Sequence, residues 1–416
     1  MADFMIGAPS HYELNNIAVV NYNQFMHFLY VQDDWKATQR LTLNLGLRYE
    51  FASPQWVSDN RLANFDPATN TLIQAHSGDL YDRSLQEPKL LDFAPRAGLA
   101  WRPFGQKTVI RTAYGISYQQ FNRLGGENLL AYNGPNIVDA QIDQQPSQGV
   151  CQSPGDPAQS CFRPTSFGYP DNFATPANFN PLRAQARYIP KDNPTGYVQS
   201  WHFSIQRELA KDWMLDLGYV GNRGVHLMIL ADYNQAVPNQ AGQNIPLQAR
   251  RPIPNFAYIE IAFGAGDSTY NAFQAKLEKR FSHGLYILNS FTWSKALDDA
   301  PGHLEANNGD QTRVNYANIA NDKGISNYNQ PLSVTTSIVW ELPFGKGRRF
   351  GSDAPTLVRG ILGGWQFTAI NTAASGLPVN LTYSPTSQFQ VSTAPNYRPN
   401  VTCNPVTPEG QRTTNT

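Results

Sequence analysis

The sequence of 416 residues contains little charge, few cysteines and no long apolar segment. Charged residues make up 15% of the chain, below the roughly 25% that is typical of soluble proteins. The formal net charge is zero, which gives no reason to expect a nucleic-acid partner. No run of eighteen apolar residues occurs, which excludes a transmembrane helix. The opening stretch MADFMIGAPSHYELNN also lacks the basic and apolar parts of a signal peptide.

The residue patterns that usually carry enzyme chemistry are also scarce. The chain has three cysteines and seven histidines, without the spacing of zinc ligands. Residues 59–70 follow a spacing loosely similar to a calcium loop, but they lack its glycine and closing glutamate, so we favour a loop hairpin. The stretch SWHFS has no G-x-S-x-G around it, and no acid and base can be paired. We therefore expect no enzyme activity, no cofactor and no resident metal.

Two of the cysteines, Cys151 and Cys161, bracket the stretch QSPGDPAQS, which is rich in turn formers. This spacing predicts a loop disulfide in an oxidising compartment. The alternative is two free thiols. A disulfide requires that the two Cα atoms lie within about 7 Å of each other.

Strict alternation of apolar and polar residues is the main positive signal. Between Leu41 and Glu50, one face carries four leucines and Tyr49, and the other carries Arg48 and Glu50. A period of two predicts a β-strand with two unlike faces. The leucines would face a core in a soluble sheet, whereas in a membrane barrel they would face lipid and the polar side would line a wet lumen. The lumen candidates are Arg48, Arg96, Arg111, His202, Gln206, Asp216, Gln274, Lys276 and Glu278.

Large aromatic residues concentrate near the ends of the alternating segments. The chain has 20 Tyr, 22 Phe and 8 Trp. In outer-membrane barrels, aromatic girdles mark the two interfaces between lipid and water. The girdle candidates are Tyr49, Trp101, Tyr118, Trp201, Trp213, Tyr219, Trp293, Trp340 and Trp365.

The alternating segments form pairs, and their connections are alternately short and long. Short connections such as Ala210–Asp212 occur within pairs, whereas polar stretches such as Gln119–Gly196 and Asn222–Ser268 separate them. Such long loops are uncommon in a soluble domain but typical of the extracellular side of outer-membrane barrels, whose periplasmic turns are short. We predict an all-β fold, an antiparallel transmembrane β-barrel fragment with about 10–12 long strands. Residues 25–35 and 285–294 are apolar on both faces, which leaves their orientation open.

The segments resemble, in their order along the chain, the barrel of TonB-dependent receptors and within it the Oar-like branch. The resemblance is carried by VQDDWKATQRLTLNLGLRYE, FAPRAGLAWRPFGQKTVIRTAYGISY, YVQSWHFSIQREL, DLGYVGNRGVHL, YNAFQAKLEKRF, FTWSKALDD, WELPFGKGRRF and GGWQ with SGLPV. These stretches cover much of Phe25 to Val379, and the ordered set is more specific than any one of them. The resemblance implies a barrel of about 22 strands, an N-terminal plug that couples to the inner-membrane TonB complex, and often a small carboxypeptidase-regulatory-like domain before the plug.

The sequence departs from this pattern in its strand number and in its ends. About ten strong strands can be counted, and the final PEGQRTTNT has neither a closing strand nor a terminal aromatic residue. We therefore expect a partial chain without plug or signal. Residues 1–20 would be a segment preceding the barrel strands, 21–380 a partial barrel, and 381–416 an extracellular loop or a disordered truncated end.

Three functions remain open on the sequence. The resemblance favours part of a receptor in a Gram-negative type outer membrane, which imports a scarce nutrient such as a siderophore or glycan with inner-membrane energy. The alternatives are a passive or structural outer-membrane barrel and a secreted soluble β-rich binding protein. Both barrel functions imply outer-membrane lipid as a partner, and the substrate stays an unknown small molecule or glycan.

Overall fold

The computed structural model describes most of the chain. The described residues are 5, 7–16, 20–120, 129–136, 138–144, 162–182, 184–299, 313–379, 381 and 389–392. Cys151 and Cys161 lie outside this set, so their disulfide stays a prediction.

The secondary structure of the described residues is dominated by strands. In chain order the strands are β1 (His11–Asn15), β2 (Tyr22–Asn23), β3 (Met26–Thr38), β4 (Leu41–Ala52), β5 (Trp56–Val57), β6 (Ala63–Asp66), β7 (Thr71–Gln74), β8 (Phe93–Trp101), β9 (Thr108–Gln119), β10 (Asp139–Asp143), β11 (Ala186–Tyr188), β12 (Gly196–Ala210), β13 (Trp213–Asp232), β14 (Ile259–Ser282), β15 (Leu285–Asp298), β16 (Gly324–Ile325), β17 (Leu332–Glu341) and β18 (Gln366–Ala374). The α-helices are α1 (Leu80–Ser84) and α2 (Thr356–Leu362), and 3₁₀ turns lie at Leu129–Tyr132, Thr165–Phe167, Pro176–Asn178, Gln248–Arg250 and Ile319–Asp322. No helix in the described ranges has both the length and the apolar composition needed to cross a membrane.

Ten long strands form one continuous antiparallel wall. Their order is β3-β4-β8-β9-β12-β13-β14-β15-β17-β18, so each wall strand pairs with the next one along the chain. The short strands β11 and β16 add to the ends of β14 and β15. Within the described residues β3 and β18 each have one wall neighbour, so the wall is open along both sides. The predicted all-β, antiparallel barrel-type sheet of about 10–12 long strands is confirmed.

The wall has a short-turn end and a long-loop end. Three hairpins close in two-residue turns, at Gln39–Arg40, Lys211–Asp212 and His283–Gly284. His283 and Gly284 have φ of 51° and 77°, as a type I′ hairpin turn requires. The other two connections at this end are 102–107 and 342–365, and the second contains α2. The long connections 53–92, 120–195, 233–258 and 299–331 all lie at the opposite end.

Two central strands extend further toward the long-loop end than the sequence indicates. β13 has 20 residues and β14 has 24. The prediction of a polar loop over Asn222–Ser268 is therefore wrong at both ends of that range, 222–232 and 259–268, since only 233–258 connects the strands. A bulge near Leu227 bends the ladder, and Gly264 packs there so closely that a Cβ would lie 2.9 Å from the carbonyl oxygen of Pro194.

The buried apolar core lies at the long-loop end. Its largest cluster contains Leu62, Leu130, Ile189 and Leu230, which are at most 3% exposed. We call the long connections, with the ends of β13 and β14 that they enclose, the cap. In contrast, Leu45 at the centre of the wall is 51% exposed. A soluble sheet would bury such a face against a second layer, so this face of the wall requires an apolar surrounding of another kind.

Candidate functional site

The strand register assigns every wall side chain to one of two faces, because directly opposed residues of antiparallel strands share a face. The polar face, as we call it, carries all nine predicted lumen residues, on six neighbouring strands: Arg48, Arg96, Arg111, His202, Gln206, Asp216, Gln274, Lys276 and Glu278. The structure therefore brings the nine to one side of the wall. That this side lines a lumen stays a prediction.

The opposite side, which we call the apolar face, contains the leucines of β4 and their cross-strand neighbours. The register also assigns the faces of residues 25–35 and 285–294, whose orientation could not be predicted from the sequence. Val31 and Trp35 of β3 oppose Leu47 and Leu43 of β4 on the apolar face. On β15, Ile287, Phe291 and Trp293 belong to the apolar face, whereas Ser290 and Thr292 belong to the polar face.

Eight of the nine girdle candidates lie on the apolar face, at different heights. Trp101, Trp213 and Trp340 stand beside the short-turn end. The residues Tyr49, Tyr118, Trp201 and Trp293 stand nearer the long-loop end. About eight tilted residues separate these groups along a strand, which corresponds to roughly 20 Å of height. Whether they form lipid girdles stays a prediction.

Two girdle candidates are also held by hydrogen bonds. Tyr219 lies level with Trp293 in the strand register, and its hydroxyl donates to Oδ1 of Asn271 at 2.6 Å. Trp365 lies just before β18 rather than within it, and its Nε1 donates to the carbonyl oxygen of Ile361 at 2.7 Å. The side chain of Trp365 is therefore held by α2, while its backbone carbonyl accepts a hydrogen bond that continues the pairing of β17 with β18.

Several charged side chains of the polar face have partners within the wall. Nε of Arg48 lies 3.1 Å from Oε1 of Glu50, and the Arg48 guanidinium lies 5.0 Å from the centre of the Phe28 ring. Arg111 donates to Oε1 of Gln206 at 2.8 Å. These contacts hold two of the three arginines among the lumen candidates in place.

The remaining candidates are arranged along β12, β13 and β14. Asp216 opposes Lys276 in the register, and Nζ of Lys276 lies 3.2 Å from Oε2 of Glu278. Nε2 of His202 lies 3.2 Å from Oγ of Ser204. This part of the face therefore alternates positive, negative and neutral polar groups.

A shallow depression of about 350 Å³ opens in the wall around Arg96. Arg96 lies directly between Gly46 of β4 and Gly115 of β9. Its exposed guanidinium forms no ion pair or hydrogen bond with the residues that the structure describes. The polar-face residues that line the depression are Gln32, Asn44, Gly46, Arg96, Ala113, Gly115, Ser200 and His202.

Buried asparagines tie the loops of the cap together. The side-chain amide of Asn133 donates to the carbonyl oxygens of Ala63 and Arg187 at 2.8 and 2.7 Å, and its oxygen accepts from Arg187 N at 2.7 Å. The side-chain amide of Asn64 likewise donates to the carbonyl oxygen of Ile189 at 2.8 Å, and its oxygen accepts from Ile189 N at 3.0 Å. Because buried amides must satisfy their donors and acceptors, these contacts lock the first long connection onto the second.

A buried ionic centre joins β14 to the residues around it. Glu260 accepts from Arg313 at 2.6 Å and from the Tyr258 hydroxyl at 3.1 Å, and Arg187 lies 3.6 Å away. Burial is the largest influence and raises the pKa of Glu260, but the two arginines outweigh it and hold the pKa below its ordinary value. The centre is therefore one ionised carboxylate shared by two guanidinium groups.

A second buried ion pair lies at the end of β13. Asp232 and Arg251 are 3.1 Å apart, with side chains that are 3% and 1% exposed. The Ser392 hydroxyl donates to Asp232 at 2.7 Å, so residues 389–392 pack onto the cap. Burial raises the pKa of Asp232, and Arg251 offsets part of the increase.

Half-buried aromatic rings pack beside the ionic centre, in the apolar cluster that contains Ile261 of β14. The ring centres of Tyr188 and Tyr233 are 5.0 Å apart, and those of Tyr233 and Tyr316 are 5.3 Å apart. Burial raises the pKa of Tyr188 to about 12. The sequence analysis missed this cluster and the two ion pairs, because it assigned much of this region to loops. The alternation from Tyr258 to Phe263 was the signal that could have revealed it.

The calcium-loop-like segment considered in the sequence has a simple structure. Residues 59–70 belong largely to the hairpin of β6 and β7, in which Asp66 accepts from Ala68 N at 3.0 Å and from the Thr69 hydroxyl at 2.8 Å. In the described part of the chain, no three His, Cys, Asp or Glu residues converge on a metal position. The basic connection before β18 contains Arg348, which pairs with Glu341 at 2.7 Å.

Several solved outer-membrane proteins are similar in structure to part of this chain. They include the outer membrane transporter YddB from Escherichia coli (13% identity, TM-score 0.41, covering 76% of this chain and 31% of that chain). The siderophore receptor PiuA from Acinetobacter baumannii has 12% identity and a TM-score of 0.38, covering 77% of this chain and 32% of that chain. The FrpB iron transporter from Neisseria meningitidis has 10% identity and a TM-score of 0.37, covering 78% and 32%. This chain thus spans about a third of their length. No curated protein matches the sequence.

The antiparallel wall, its alternating turns and loops and its exposed apolar face define the class as a transmembrane β-barrel. Residues 1–416 match the family described as "Outer membrane beta barrel domain". The chain belongs to this family and resides in the outer membrane. Its short-turn end is periplasmic and its cap is extracellular.

Proposed function

We propose that this chain is part of the barrel of a TonB-dependent receptor that binds and imports a scarce nutrient across the outer membrane. The observation that carries the proposal is the folded cap. Connections of this length lose much conformational entropy when they order, and buried ion pairs add a desolvation cost. A receptor benefits from such order, because a preorganised binding surface loses less free energy when it binds its ligand.

The wall below the cap supports the same function. Its polar face carries charged and neutral polar groups from six strands, which suits a wet lumen, and its apolar face suits lipid. The ordered sequence resemblance adds the TonB complex as the energy source, reached through a plug domain. The structural relatives named above as siderophore receptors and iron transporters make an iron complex one candidate nutrient, beside a glycan.

The alternative function is a passive or structural outer-membrane barrel. It requires the same wall and the same membrane, but it does not require an ordered cap above the lumen. On either function the chain binds or conducts solutes and catalyses no reaction.

Energy dependence separates the two functions. The chain is expressed, with the coding sequence that adjoins it, in the outer membrane of a bacterium that lacks related receptors. The cells are given a defined mixture of iron–siderophore complexes and oligosaccharides, and depletion of each compound is followed by mass spectrometry. A receptor depletes at least one compound, and a protonophore stops the depletion. Depletion of small compounds that the protonophore does not change would establish the passive barrel instead.

A further inference from the structure

Three glycines interrupt the centre of the polar face, and no contact in the described chain requires them. Gly46, Gly98 and Gly115 lie inside β4, β8 and β9, and none has a positive φ. An added Cβ would lie 3.5, 3.5 and 3.4 Å from its nearest neighbour at these three positions, which is ordinary van der Waals contact. Glycine inside a strand weakens it and commonly marks the close approach of a ligand or another backbone.

A single unpaired charge stands among these glycines. Arg96 has Gly46 and Gly115 as its direct cross-strand partners, so no neighbouring side chain covers it on either side. The carboxylate of Asp34 accepts hydrogen bonds from Asn44 at 2.6 Å and Gln32 at 3.4 Å. Because Arg48 and Arg111 are engaged by partners above and below, Arg96 is the one of these three arginines that is available to an anion.

We propose that the depression around Arg96 is a subsite for a solute that carries a carboxylate group. A guanidinium binds a carboxylate through two parallel hydrogen bonds. The glycines would let the carbon skeleton of the solute lie against the strand backbones, while Gln32, Asn44 and Ser200 supply neutral polar contacts. The volume of about 350 Å³ falls within the range of small-molecule sites, roughly 300–1,000 Å³, which favours a solute over a folded partner.

This inference rests on the proposed function in one respect, since the polar face must be the lumen wall that solutes reach. The test measures binding directly and does not depend on transport. The chain, expressed with the coding sequence that adjoins it and folded in lipid nanodiscs, is titrated with citrate by calorimetry, and trimethyl citrate serves as the matched uncharged probe. We expect saturable binding of citrate and at least about tenfold weaker binding of trimethyl citrate.

Three variants locate the binding. Arg96→Gln removes the charge but keeps a long polar side chain, and Gly46→Val fills part of the depression while Arg96 stays intact. We expect each to weaken citrate binding at least about tenfold. Arg207→Gln, which removes an exposed arginine from the opposite face of the same wall, should leave it unchanged. Heat-dependent gel migration verifies that each variant is folded. If one variant misfolds, the comparison of citrate with trimethyl citrate on the wild-type protein still tests the subsite.

Equal citrate binding by wild type and both depression variants, or equal binding of citrate and its ester, would overturn the subsite. If uptake is energy-dependent but citrate does not bind at Arg96, the subsite is wrong and the receptor function stands. If citrate binds through Arg96 but uptake ignores the protonophore, the receptor function is wrong and the subsite stands.

Discussion

The depth and face of Leu45 predict a measurable cost for placing a charge there. Leu45 lies five residues beyond Arg40, at the turn between β3 and β4. At about 3.3 Å per residue and a tilt of about 45°, it stands roughly 12 Å above the short-turn end, near the middle of an apolar band about 25 Å high. A charge at the bilayer midplane has no water, so Leu45→Arg should lower the free energy of unfolding by about 2–4 kcal/mol.

Two control variants separate depth from face. Leu41→Arg lies on the same face but next to the short turn, where an interfacial charge costs about 0–1 kcal/mol. Asn44→Arg lies at nearly the same height as Leu45 but on the polar face, and it should change stability by less than about 0.5 kcal/mol. Urea unfolding in phospholipid vesicles, followed by tryptophan fluorescence, measures the free energy of unfolding of all three variants.

A soluble sheet would also be destabilised by Leu45→Arg, so a lipid probe completes the test. A fluorophore on a cysteine at position 45 should be quenched by a lipid-borne spin label, whereas one at position 48 should not. Equal quenching at both positions, or equal costs for Asn44→Arg and Leu45→Arg, would refute the assignment of lipid and lumen faces.

Further predictions concern the cap. Glu260→Gln leaves Arg187 and Arg313 without their shared carboxylate and should destabilise the cap by about 3–5 kcal/mol, measured by limited proteolysis of the loops. Lys191→Gln, which removes an exposed ion pair with Glu87 and a cation–π contact with Tyr81, should change the proteolysis rate far less. Because the folded-state pKa of Glu260 lies below its ordinary value of 4.5, its contribution is present above about pH 4.5 and is lost as the pH falls below it. An acid titration of cap stability should therefore be less steep in Glu260→Gln, and an unchanged slope would contradict the assignment. Asn133→Ala should cost about 1–3 kcal/mol for each buried backbone group left unpaired, seen as faster hydrogen exchange at the Arg187 amide.

The faces of the wall could be predicted from the sequence, because they depend on local geometry. Side chains alternate across any strand, so Leu45 and Arg48 are on opposite faces whatever the strand pairs with. The turn at His283–Gly284 likewise follows from a short connection between two alternating segments. These features require no knowledge of distant residues, and nine candidate polar residues chosen in this way lie on one face.

Other features depended on partners that are far apart in the chain. The amide of Asn64 bonds to Ile189 across 125 positions, and no local pattern marks that contact. The orientation of β3 and β15 needed the register with their neighbours, since both of their faces are apolar.

The sequence by itself thus determined the strand period and the alternation of turns and loops, and it favoured the membrane class of this protein. Only the tertiary structure decided that β13 and β14 continue into an extracellular cap, that Glu260 holds two arginines there, and that Arg96 stands between two glycines. The physical reason is that strand faces follow from the backbone of each residue, whereas burial and pairing are set by residues that the fold brings together.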